Sequence, residues 1–82
     1  MKVLVESANR CRSMFVFSAD GEYGYFELLG AGDIEIGDTL IGDFSCLGGT
    51  TARIKDSGEE VDIFIEDFCS WENAMKMINK EE

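Results

Sequence analysis

Short apolar-rich, β-prone runs make up most of this chain, and only near the end does the spacing lengthen to that of a helix. Between Val61 and Glu66 the alternation is strict: Val61, Ile63 and Ile65 fall on one side, Asp62 and Glu66 on the other. That is the pattern of a half-buried strand. Shorter β-prone runs lie upstream, Lys2–Glu6 as a first strand and Cys11–Ser18 as a second, separated by the nine glycines of a chain without proline. Glycine-punctuated short runs predict an all-β domain with tight turns.

Two hairpins can be placed in register. Asp20-Gly21 suits the positive φ angles of a type I′ turn. Centring the turn there pairs Ser18 with Tyr23, Phe17 with Gly24, Val16 with Tyr25 and Phe15 with Phe26. Phe15, Phe17, Phe26 and Leu28 then share one face, and Met14, Val16, Tyr23 and Tyr25 the other. A slip of one residue would mix the two sets. Both faces are apolar, yet a barrel interior can accept only one. A second turn centred on Ser57-Gly58 pairs Ile54 with Val61 and Ala52 with Ile63 inside. It sets Lys55 against Glu60 and Arg53 against Asp62 outside, and opposite charges so placed contribute roughly 0.2–1 kcal/mol per pair.

Between the hairpins, Thr39–Phe44 reads as a strand, and Gly48-Gly49 as a turn or bulge. From Ser70 onward Trp71, Ala74, Met75 and Ile78 recur at helical spacing. Ser70 suits the N-cap, Glu72 the positive end of the helix dipole, and Lys76 and Lys80 its negative end. The predicted helix spans 70–81. Such a short helix is marginal alone and has to pack on the sheet.

Length makes this one domain of 82 residues, with 1–66 as barrel and 70–81 as helix. A chain of this size buries only about 60–65% of its unfolded surface, so it needs a dense core. Six Phe, two Tyr and one Trp supply the bulk. No apolar run approaches the roughly 18–20 residues of a membrane span, and MKVLVESANR lacks the apolar stretch of a secretion signal. A cytoplasmic chain without membrane contact is the expectation. Cys11, Cys46 and Cys69 are odd in number and widely spaced, with no histidine anywhere. This predicts three reduced, mostly buried thiols and no zinc site or cofactor.

Chemistry is sparse. Without histidine the usual general base and metal ligand are missing, and no G-x-S-x-G, S-x-x-K or phosphate-loop motif occurs. Gly30-Ala31-Gly32 lacks the strand–loop–helix context of a nucleotide loop and reads as a turn. Asp33, Glu35, Asp38 and Asp43 could gather at one barrel end around Mg²⁺ or Ca²⁺, but their spacing is not that of an EF-hand, and they read better as solvated turn residues. A net charge of −10 repels nucleic-acid phosphates and anionic membranes.

The segment IGDTLIGDF, residues 36–44, together with five or six short strands and Gly-marked corners, resembles small barrels of the OB or SH3-like type. The fold class is thus mainly β, a five- to six-stranded antiparallel barrel with one C-terminal α-helix. An OB-type likeness implies a ligand face on the second and third strands. There Tyr23 and Tyr25 would stand beside Arg10 and Arg12, with Met14 and Val16 between them. Aromatics flanked by cations suit single-stranded nucleic acid. The better reading of the same strip is as a seat for the apolar stripe of the C-terminal helix, or as ordinary surface. The leading functional expectation is a non-enzymatic module that docks on another protein. The alternatives are an OB-like binder of single-stranded nucleic acid and a divalent-metal-binding domain.

Overall fold

Asp20 and Gly21 take φ angles of 51° and 82°, the left-handed pair that a type I′ turn requires. The turn joins β2 (Met14–Ala19) to β3 (Glu22–Leu29) in the expected register, with Val16 opposite Tyr25 and Phe15 opposite Phe26. A computed structural model of the chain describes residues 1–30 and 32–79. The remaining strands are β1 (Lys2–Asn9), β4 (Thr39–Gly42), β5 (Gly48–Ile54) and β6 (Glu60–Cys69), followed by α1 (Trp71–Ile78).

The six strands close into an antiparallel barrel in the order β1-β2-β3-β6-β5-β4, with β4 pairing back onto β1. Closure removes every free sheet edge. In this ring β3 and β4 stand opposite each other, so the chain between them must cross the lower end of the barrel, the end that carries the β1–β2 loop. The Asp20-Gly21 turn marks the upper end. Ile34 goes in with that crossing and is buried against the core. Phe44, just after β4, performs the same service at the upper end. Between these plugs lie Val3, Val5, Phe15, Phe17, Phe26, Leu40 and the Val61, Ile63 and Ile65 row of β6.

The second hairpin differs from its expected register. Arg53 pairs with Glu60 and Ala52 with Val61, a slip of two residues along β5. A longer loop causes it: Gly58 N–H donates to the Ile54 carbonyl at 2.8 Å, Ile54 N–H to the Glu59 carbonyl at 2.8 Å, and Gly58 takes the left-handed φ of 74°. Two residues is one full side-chain period, so the inward set survives. The outer partners change. Lys55 drops into the turn, and Thr51 replaces Arg53 opposite Asp62, with Thr51 Oγ1 donating to its Oδ1 at 3.0 Å.

Strand ends shift as well. β1 reaches Asn9 rather than ending at Glu6, because a bulge at Glu6 lets pairing resume at Ser7. β2 begins at Met14, since residues 10–13 form a turn in which Ser13 has φ 55°. The strand expected over Thr39–Phe44 stops at Gly42, and β6 runs on to Cys69. Ser70 caps the helix, its Oγ accepting from Asn73 N–H at 3.3 Å. Lys80 and the expected helix end at 81 lie outside the described residues, as does Ala31.

Candidate functional site

The helix decides the fate of the surplus apolar face. α1 runs from the upper end of the barrel down the outside of β2 and β3. Ala74 and Ile78 are fully buried on Met14, Val16 and Tyr25, with Tyr23, Cys69 and Met75 half-buried around them. The lower end of the helix is tied to the last residue of β1 and to the β1–β2 loop. Asn9 Nδ2 donates to the Ile78 carbonyl at 2.7 Å and Arg12 Nη1 to the Met77 carbonyl at 2.8 Å. Helix termini leave their last carbonyls without intrahelical partners, and here the barrel supplies donors to two of them.

This arrangement reassigns the six candidate binding residues. Met14, Val16 and Tyr25 are core under α1, and Tyr23 lies at its margin with its ring 5.6 Å from Trp71, edge-on. Arg10 and Arg12 sit in the lower loop rather than on the even-numbered face of β2. Arg12 serves the helix end, and Arg10 lies 3.7 Å from Asp33 with both side chains well exposed. The helix thus occupies much of the strip that an OB-type stacking surface would use, and Arg12, Met14 and Tyr25 line a hollow of about 370 Å³ beside Met77. Burial pushes the Tyr25 hydroxyl above its usual pKa, and nearby Asp67 adds to the effect. Cys69 is raised for the same two reasons.

The four carboxylates considered for a cation do not converge. Asp33, Glu35 and Asp38 precede β4 at the lower end and Asp43 follows it at the upper end. Asp38 Oδ2 accepts from the Glu35 N–H at 2.9 Å, a turn contact. Among the described residues no three Asp, Glu or Cys side chains come together as a metal site would require. The thiols are unpaired, but Cys11 and Cys46 are exposed rather than buried, because both fall in loops.

A different feature emerges at the upper mouth. Phe17 and Phe44 pack with ring centroids 5.2 Å apart, and Phe68 meets Phe17 edge-on at 6.2 Å. Above them opens a hollow of about 470 Å³ rimmed by Asp20, Glu22 and Ser45, within the roughly 300–1,000 Å³ range of ligand sites. A bulge builds it. Tyr25 pairs with Asp67 but Phe26 with Ile65, so Glu66 is the extra residue. Beyond the bulge the facing of β6 is reversed, which brings Phe68 opposite the inward Gly24. Bulges at barrel rims re-aim side chains in this way.

Gly24 is required there. A Cβ at this position would sit 2.6 Å from Phe17 Cζ and 2.7 Å from the Asp67 carbonyl oxygen. A second hollow of about 330 Å³, lined by Gly21, Glu22, Tyr23, Phe68 and Cys69, adjoins the first and shares Glu22 and Phe68 with it. Close to the mouth, Asp43 accepts from both the N–H and the Oγ of Ser45, and these bonds hold its carboxyl below the ordinary value.

Sequence reasoning missed this site because it ended the barrel at residue 66, which left Phe68 outside the last strand. The one available signal was the break in alternation at Glu66-Asp67, where two acidic residues adjoin.

Comparison with known proteins leaves the chain alone: no family model, no curated protein and no solved structure matches it. No helix among the described residues is long and apolar enough to cross a membrane.

Proposed function

We propose that this chain is a non-enzymatic protein-interaction module that receives its partner at the upper mouth of the barrel. One observation carries the reading: a hollow stays open at this mouth, with Met1 and Phe68 exposed over the buried rings of Phe17 and Phe44, while α1 covers the Met14, Val16 and Tyr25 face. Exposed apolar surface framed by polar residues marks contact sites. With no free edge, the barrel offers no strand for augmentation, so a partner has to engage it through side chains. The histidine-free sequence offers no conventional base or nucleophile pair to turn binding into catalysis.

Affinity capture with paired variants tests this. Phe68 on the rim and Phe64 on the outer wall of β6 are about equally exposed, at 39% and 40%. Partners retained by wild type and by Phe64→Ser, and lost by a Phe68→Ser protein with unchanged far-UV circular dichroism, are the expected outcome. Retention of the same partners by Phe68→Ser, or capture of none by wild type, would overturn it.

A further inference from the structure

The chemistry of the mouth narrows the kind of partner. Each of the two adjoining hollows has an apolar wall, and Glu22 and Phe68 form the partition between them. Two neighbouring depressions separated by one ridge suit alternate side chains of an extended segment, which point to one side at intervals of about 6.6–7 Å. The carboxylates gather on the first hollow. Asp20 and Glu22 line it and Asp43 lies beside Ser45 on its rim, while Glu22 alone lines the second. Among the described residues no Lys or Arg lines either hollow, and the Met1 ammonium at the first is outnumbered by Asp20, Glu22 and Asp43; the whole chain carries −10.

We infer that the upper mouth binds an extended basic peptide segment, with two apolar side chains seated on either side of the Glu22–Phe68 ridge and lysine or arginine flanking them. The inference rests on the docking reading above and adds the partner's charge and conformation. Apolar anchors supply affinity in the aromatic hollow. The carboxylates reject acidic segments and speed encounter with basic ones. A small cation would fill only one hollow and leave the ridge unused.

Amide chemical-shift titration of the full chain tests the inference with defined probes. The first is a blocked heptapeptide with two lysines at each end and leucine–glycine–leucine between them. Saturable shifts are expected at Ala19, Asp20, Glu22, Tyr23, Ser45 and Phe68. Glutamate ends in place of lysine should weaken binding at least about tenfold, a difference of ~1.4 kcal/mol. Glycines in place of the leucines should abolish it. The Asp20→Asn/Glu22→Gln double variant should weaken the lysine-ended peptide severalfold and leave a serine-ended one unchanged. Raising salt from about 0.01 to 0.1 M shortens the screening length from ~30 to ~10 Å and should weaken the lysine-ended peptide alone.

Equal binding of serine-ended and lysine-ended peptides would overturn the basic partner while leaving the mouth as a docking site. Butylammonium binding as tightly as the peptide would overturn the extended segment in favour of a small cation. Absence of shifts from every peptide, with Phe68-dependent capture intact, would overturn this inference alone. Loss of Phe68-dependent capture would remove the docking reading itself.

Discussion

Replacing Ile78 with alanine tests whether α1 is a cover held by its own small core. The side chain is fully buried against Met14, Val16 and Tyr25. Truncation removes about three methylene equivalents at ~0.8 kcal/mol each, to which a residual cavity adds, so a loss of roughly 2–4 kcal/mol is expected. The loss should not fall evenly on the molecule. Phe15, Phe17 and Phe26 belong to the separate interior cluster, whereas α1 keeps Ala74, half-buried Met75, the Trp71–Tyr23 ring contact and the bonds from Asn9 and Arg12. Eight residues do not hold a helix in water.

The single tryptophan, Trp71, lies at the start of this helix beside Tyr23, so its fluorescence reports docking while far-UV circular dichroism reports mainly the barrel. In urea the fluorescence transition of Ile78→Ala should fall by ~2 M, taking a slope of about 1–1.5 kcal/mol per M, and should precede the dichroism transition. A loss below about 0.5 kcal/mol would refute the claim that Ile78 anchors the helix. Coincident transitions with the full loss would refute the separation of helix core from barrel core.

Three further outcomes are expected. Gly24→Ala drives a Cβ against the Asp67 carbonyl, which cannot retreat without opening the β3–β6 ladder. A cost of ~1–3 kcal/mol, read as a fall of roughly 5–20 °C in Tm, should result, and an unchanged Tm would show that the ladder gives way freely. Carboxyl NMR should find Asp43 titrating below the usual aspartate range, because Ser45 bonds to its ionised form. Its contribution to stability is present above the ordinary carboxylate value and is lost as pH falls through the lowered one. Ser45→Ala should return Asp43 toward that ordinary value, and no movement would assign the shift elsewhere. Tyr25 favours its neutral form in the fold. Its stabilising contribution is complete below the ordinary tyrosine value of about 10 and is lost as pH rises through the raised folded value. In a Tyr23→Phe background, ultraviolet titration should show the remaining phenol ionising late. A midpoint at 10 would contradict its burial.

Local rules carried much of this fold. Asp20-Gly21 set the first hairpin because a type I′ turn admits one register, and two residues with positive φ announce it. Strict alternation identified the inward row of β6, and the 3.6-residue spacing with Ser70 in front identified α1. These features depend on residues close in sequence, where steric preference and side-chain period act directly. Glycine at 58 was also legible as a turn residue, but not the number of residues that the loop would use, so the second hairpin slipped.

Tertiary structure decided what lay between distant segments. Whether Met14, Val16 and Tyr25 faced water or a helix depended on Ala74 and Ile78 arriving from the far end of the chain. That Arg12 would serve a helix terminus depended on the same docking. The mouth was the least legible feature of all. It needed a bulge at Glu66, signalled in the sequence only by the adjoining Glu66 and Asp67, together with barrel closure that brings Phe17, Phe44 and Phe68 to one end. The alternation of a single strand reports which side faces the core but not which strands share a rim. That is settled only when the whole ring closes and the packing of all six strands is satisfied at once.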